Sequence, residues 1–270
     1  STLLGLFLAS GSVLGAGARA LLLWGVAATA WLSAWIVVAA NAYLHRPTGV
    51  EMVGDRAVFT SVWAILTQFA AVVAWWHIAG AAGLVVAFWA AAAGAASLLR
   101  GGPEDAVGRL LVRLGIGIGA VAAPVNVTAG LFQFSAARAD ARLTNYGWHG
   151  ALLVLMLLIG VLILATTWLV LVPLLIRGRV FRSRPVLWVL ARGVWVPLLA
   201  CVLGWVYREE ARQPWFIVGK VTVAEAVSAP GGLALPLTAA AFVLLGGGAM
   251  ILAWTLMGNE IARPARLSVE

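Results

Sequence analysis

An all-α, polytopic transmembrane helix bundle is the fold class this sequence predicts, and three observations predict it. Hydrophobic residues make up 63% of the 270 positions, against about half in ordinary soluble domains, and the mean hydropathy is +1.01. Apolar runs of about 20 residues or more recur along the chain, each long enough to cross a ~30 Å hydrocarbon core as a helix. Charged residues are only 10% of the chain, and the arginines gather in the short connections between runs. The whole chain, 1–270, reads as a single membrane domain without internal repeats or a low-complexity tail.

The elements follow in order. Residues 2–17 are apolar but short for a crossing, and further spans follow at once, so they read as a short N-terminal span and not as a cleavable leader. Six full spans are predicted near 20–44, 71–99, 108–132, 149–176, 186–207 and 233–258. Residues 57–70 are a mixed lead-in suited to the membrane interface. The 30 glycines fit close helix packing in lipid, and the 14 tryptophans fit interfacial belts and packing. The lone Cys201 lies in an apolar span and reads as a packing residue.

Charge sets the orientation. One set of alternate connections holds Arg19, Arg100, Arg109, Arg113, Arg177, Arg179, Arg182, Arg184, Arg263 and Arg266. The other set holds seven basic residues diluted by Glu51, Asp55, Asp140, Glu209, Glu210 and Glu225. The first set is expected to face the cytoplasm, with the C-terminus, in a bacterial cytoplasmic membrane. The formal net charge of +8 is thus a topology signal, and nucleic acid is not an expected partner.

Polar and ligating atoms inside spans are costly and functional by default. His77 is about seven residues into its span from the outer side, roughly 10 Å deep at 1.5 Å per residue. Met156 is at a similar depth in its own span, and Glu209 closes the span ending CVLGWVYRE, also at the outer side. A His/Met pair is a common axial set for a low-spin haem. No CxxCH is present, which excludes a covalently attached c-type haem on this chain. Each residue also has an ordinary alternative. A methionine fills gaps in apolar cores, an intramembrane histidine bonds to a neighbouring helix, and an interfacial glutamate is simply solvated.

Two stretches tilt that balance. Residues 32–49 read LSAWIVVAANAYLHRPTG, and residues 204–215 read GWVYREEARQPW. Together they resemble subunit I of the cytochrome bd-type quinol oxidases. Trp35, Ile36, Asn41, Tyr43 and Pro47 match a family pattern at the end of a span, with the tryptophan shifted by one. Gly204, Trp205, Glu209, Arg212, Gln213, Pro214 and Trp215 match the family motif GWxxxExGRQPW, with Ala211 in place of its second glycine. The resemblance runs from Ser1 to about Arg263.

By position, the resemblance implies that His77 and Met156 bind the iron of a low-spin haem b and that Glu209 serves the iron of a second, high-spin haem b. Arg212 is expected to pair with haem propionates or with Glu210. Trp205 and Trp215 are expected to pack on porphyrin faces, with Gln213 beside them. A related membrane subunit II, quinol as electron donor and the lipid bilayer are the implied partners. The implied activity is that of a quinol:oxygen oxidoreductase subunit dependent on its partner chains.

Two departures qualify the resemblance. Subunit I ordinarily begins with about two more spans, carrying a histidine associated with haem d and two acids of a buried proton route. This sequence begins just after the second acid, so haem d is expected only if another chain supplies those spans. The family's long hydrophilic loop, implicated in quinol oxidation, corresponds here to GLFQFSAARADARLTNYGWHG, which has no lysine or glutamate. Asp140 and Arg142 are its nearest polar candidates, and His149 reads as a plain interfacial histidine. A membrane cytochrome b that relays electrons without an oxygen site, or a structural subunit of a larger respiratory complex, therefore stays open as an alternative. A transporter is disfavoured, since neither repeats nor midplane charges are evident.

Overall fold

The structure, a computed structural model, describes residues 2–9, 13–54, 56–138, 147–227 and 234–262. Five helical segments are long and apolar enough to cross a membrane: Ala16–His45, Phe69–Gly101, Ala106–Gln133, His149–Ile176 and Arg184–Ala211. A shorter apolar stretch, Pro236–Ala249, lies in a further helix, Ala234–Ala262. The chain is thus a membrane bundle of five long apolar helices and a shorter one. It divides into two compact units, Ser1–Val223 and Ala224–Glu270. The second unit holds the Ala234–Ala262 helix, whose described side chains, such as Phe242 at 81%, are exposed.

In the first unit, α1 (Thr2–Ala9) is an eight-residue helix covering part of the short predicted span. It packs on α2 (Ala16–His45). A hairpin follows, with β1 (Val50–Val53) paired antiparallel to β2 (Arg56–Phe59). Gly54 at its turn has φ +63°, a conformation in which glycine carries no Cβ penalty. The expected interfacial lead-in at 57–70 is therefore part strand and part helix, α3 (Val62–Leu66), started by the Ser61 hydroxyl accepting from Ala64 N–H.

The centre of this unit is the pair α4 (Phe69–Gly101) and α5 (Ala106–Arg138). Small residues let their backbones touch. A Cβ on Gly115 would lie 2.6 Å from Ala87 O, one on Gly94 2.6 Å from Gly108 O, and one on Gly80 2.7 Å from Asn126 N. Without a hydrophobic drive between helices in lipid, such close packing is what holds them together. Pro124 within α5 cannot donate to Ala120 O. The Trp168 indole N–H does so instead, at 3.1 Å, as a hydrocarbon environment requires.

Trp168 belongs to the predicted fourth span, which is not one α-helix. It runs as α6 (His149–Thr166), a π-helical turn at Thr167–Leu171 and α7 (Val172–Ile176). The fifth span is also divided, into α8 (Arg184–Arg192) and α9 (Trp195–Ala211), because Pro197 cannot donate to Gly193 O, which accepts from Val196 N–H instead. After α9 comes a second hairpin, β3 (Trp215–Ile217) with β4 (Val221–Thr222), and then a short helix, α10 (Val223–Ala226). The bundle is all-α as expected, and the two short hairpins lie in its connections. They form where the chain leaves the long helices, so their backbone groups can pair without a helix ladder. Cys201 is exposed on the surface of α9.

Candidate haem-binding site

His77 lies in the α4–α5 seam. Its Nδ1 is 2.9 Å from the backbone carbonyl of Asn126. A carbonyl only accepts, so the hydrogen sits on Nδ1 and the lone pair on Nε2. The Asn126 amide returns the contact, donating to His77 O at 2.8 Å. Gly130 lies one turn further along α5, and a Cβ there would come within 3.0 Å of the imidazole. The ring is thus held by a carbonyl and a glycine gap, while the Asn126 amide bonds the main chain of the same residue. Its Nε2 makes no hydrogen bond among the described residues. Beside it, Trp75 meets Trp31, Trp35 and Trp76 in tilted or edge-to-face contact at centroid distances of 5.2, 5.5 and 5.2 Å, joining α2 to α4.

Met156 lies in a different seam, between α6 and α9. Its sulfur sits against Gly204, where an added Cβ would be only 2.5 Å from Sδ. This gives the motif's first glycine a local reason, since any larger residue displaces the thioether. No direct contact joins His77 to Met156 among the described residues. However, α9 packs on α4 as well as on α6.

Glu209 and Arg212 meet at the end of α9. Arg212 Nη2 donates to Glu209 Oε2 at 2.5 Å. The expectation that Arg212 pairs with Glu210 is thereby corrected. Positions three apart face each other on a helix, whereas Glu210 is only two before Arg212 and points elsewhere. The Arg212 side chain is 10% exposed, and its Nε and Nη1 are buried without a partner among the described residues. Asn41 Oδ1, from the other quoted stretch, is likewise buried and unpaired. Arg208 donates from Nε to His45 Nε2 at 3.3 Å, tying α9 to the end of α2. Val218 N–H donates to Leu44 O at 2.9 Å, which docks the β3–β4 hairpin on the same place.

The remaining expected residues are less enclosed. Trp205 is 65% exposed, Gln213 is exposed, and Trp215 is half-buried at the start of β3. His149 is buried, with the rings of Trp148 and Tyr207 about 6 Å away. Asp140 and Arg142 lie outside the described residues. No cluster of three or more His, Cys, Asp or Glu side chains suited to a bare metal ion occurs among the described residues. The sequence reading missed Asn126, Gly130, His45 and Arg208. Asn126 carried a usable signal, being a lone amide within an apolar span.

Comparison with known proteins decides the family. A family model described as cytochrome bd terminal oxidase subunit I matches residues 1–141 and 148–264. The chain belongs to that family. Its fold is similar to a chain in "The structure of bd oxidase from Geobacillus thermodenitrificans", with TM-score 0.79 and 17% identity, covering 96% of this chain and 74% of that one. Comparison with curated proteins gives no match. Membership makes this a multi-pass subunit of a respiratory oxidase family, and it implies haem cofactors.

The residues present fit a haem. A neutral imidazole fixed through Nδ1 leaves Nε2 as a ligand atom. A thioether is seated on a glycine, and a carboxylate lies at the same end of α9. A buried guanidinium with two unpaired nitrogens suits the carboxylate of a propionate.

Proposed function

We propose that this chain is the haem-carrying subunit of a bd-type respiratory oxidase, with a low-spin haem b between His77 and Met156 and a second haem b served by Glu209. The observation that carries the reading is the fixed His77 ring, whose Nδ1–H is given to Asn126 O at 2.9 Å. A histidine with that bond has its tautomer and its ligand nitrogen set before any haem arrives. A haem held there supplies one-electron transfer, taking electrons from quinol or a partner subunit and passing them toward a second haem and oxygen.

The protein's own groups have separable tasks. Asn126 and Gly130 orient the histidine. Gly204 keeps the Met156 sulfur at the seam. Glu209 contributes an anionic oxygen, which offsets the positive charge of a ferric centre. Arg212 holds Glu209 by one edge and offers its other nitrogens to a propionate. Arg208, Arg212 and Lys220 keep this end of the site positive, which favours propionates over other occupants. Trp205 and Trp215 wall the site, and Gln213 lies between Arg212 and the hairpin.

The reading includes six full spans, with Ala234–Ala262 as the last, and a cytoplasmic arginine-rich end in a bacterial cytoplasmic membrane. A related membrane subunit completes the complex and covers the exposed Trp205. Haem d enters only with spans supplied by another chain.

A reduced-minus-oxidised visible spectrum of the complex, purified with its native partners, tests the proposal. The wild type is expected to show a low-spin haem b band and His77→Ala to lose it. Haem b without a haem d band would favour the electron-relay alternative, and absence of any haem would leave only the fold in common with the family.

A further inference from the structure

The end of the bundle formed by the α4–α5 turn and the α7–α8 connection carries a second polar site. A cavity of about 460 Å³ opens there, lined by Arg109, Arg177, Arg179, Arg182, Phe181 and Ser183 among others. Its floor is rigid. Val180 and Phe181 are buried together with Leu98, Val112, Ile116 and Leu187. Arg109 lies over the Phe181 ring at 4.9 Å and Arg113 at 5.4 Å.

Charge in this cavity is unbalanced. Glu104 is the one acid that pairs with its lining among the described residues, reaching Arg109 at 2.9 Å and Arg182 at 3.9 Å. Asp105, next to it, is directed to the Ser97 hydroxyl and the Val107 N–H. Arg177 and Arg179 have no acidic partner among the described residues, and both are exposed. Gly178 between them takes φ +66°, which turns the chain so that the two arginines flank one turn. Ser183, at the start of the nine-residue helix α8, makes no side-chain cap bond, and it lines the cavity with its hydroxyl free to donate there.

We propose that this cavity binds a phosphate group. Several guanidinium forks and a serine hydroxyl are the donor set that phosphate oxygens need. The loop joins two membrane-crossing segments, so the cavity lies at the membrane surface, where the headgroup of an anionic phospholipid can enter. A free phosphate compound offers the same oxygens, and the two sources separate by experiment.

Thermal unfolding of the whole complex, stripped of lipid in a neutral detergent, provides the test. Dioleoyl-phosphatidylglycerol, dioleoyl-phosphatidylcholine and sodium phosphate are added separately at matched ionic strength. Phosphatidylglycerol is expected to raise the midpoint saturably, by about 5 °C for a ligand far above its Kd, and phosphatidylcholine is not. Arg177→Gln/Arg179→Gln should lose the rise, whereas Arg177→Lys/Arg179→Lys should keep it at higher lipid concentration. If the glutamine pair cannot be purified, Arg179→Gln alone serves, because this exposed side chain makes no ion pair among the described residues. A wild-type rise with sodium phosphate that the glutamine variant loses would assign a soluble phosphate ligand to the same cavity. Equal responses in wild type and the glutamine variant, or no wild-type response to either anion, would overturn the proposal.

Discussion

The α4–α5 seam and the α6–α9 seam hold the two proposed axial ligands by opposite means. In the first, backbones touch through Gly80, Gly94 and Gly115, and His77 is fixed by a carbonyl and an amide of one neighbour. In the second, one glycine notch positions a flexible thioether, and both helices belong to spans broken by a π-turn or a proline. A planar ring with a directed proton is placed by hydrogen bonds that have fixed directions. A thioether has no such handle and is placed by shape alone. The two sides should therefore respond differently to damage. The histidine side should fail through stability, and the methionine side through ligation with little loss of stability.

The largest effect is expected at Gly115. Gly115→Leu drives a side chain into the backbone of Ala87 and Ala91, and overpacking of this kind costs about 1–3 kcal/mol or more. Thermal unfolding in detergent should show a clear drop. Wild-type stability would break the claim that this seam is in backbone contact.

Gly204→Ala sharpens the contrast. The added methyl displaces the Met156 sulfur, but a methionine chain moves at small cost, so stability should change by less than about 1 kcal/mol. The low-spin band, in contrast, should be lost or converted to a high-spin one. Gly119→Ala is the control, because its Cβ would meet only ordinary contacts at 3.6 and 3.9 Å. An unaltered spectrum in Gly204→Ala would remove Met156 from the ligand set.

Asn126→Ala should be milder on the histidine side. It removes the amide donated to His77 O but leaves the backbone carbonyl that receives the Nδ1 hydrogen. A stability loss of about 0.6 kcal/mol, typical of interhelical hydrogen bonds in membranes, is expected with the haem band retained. Loss of the band would show that the amide, and not the carbonyl, orients the ring.

The smallest effect lies outside both seams, at Asp105. Hydrogen bonding from the Ser97 hydroxyl, and further donation from Gly108 and Val107 N–H, hold its carboxyl below the usual 3.8 despite some opposing desolvation. A depressed folded-state pKa stabilises the fold above the ordinary value and loses that contribution as pH falls through the folded one. Ser97→Ala should therefore reduce stability at neutral pH and leave the two proteins alike in strong acid. An unfolding series from neutral pH into strong acid, below the ordinary carboxylate range, measures this, and a difference independent of pH would reject it.

Much of the molecule was legible from the chain alone. Composition and apolar run length give the spans, because a bilayer accepts only long apolar segments with satisfied backbones. The arginines of the 100–113 and 177–184 connections, alike in charge along the sequence, meet at one end of the bundle. The two short motifs point to the family, and His77, Met156 and Glu209 stand out as ligating atoms in apolar surroundings. Breaks within spans were less legible. The sequence shows Pro173 and Pro197, but whether a proline kinks, breaks or merely bends a helix depends on which neighbour satisfies the released carbonyl. At Ala120 that neighbour is Trp168, 48 positions away.

Tertiary structure alone decided the partners. His77 is paired with Asn126, 49 positions distant, and Arg208 with His45, 163 distant, because helices packed side by side bring remote residues to one depth. It also decided that Arg212 turns to Glu209 and leaves two buried nitrogens unpaired. Hydropathy and motif spacing are local properties and can be read along one chain. The direction of a hydrogen bond, or the gap beside a glycine, exists only once two helices have met.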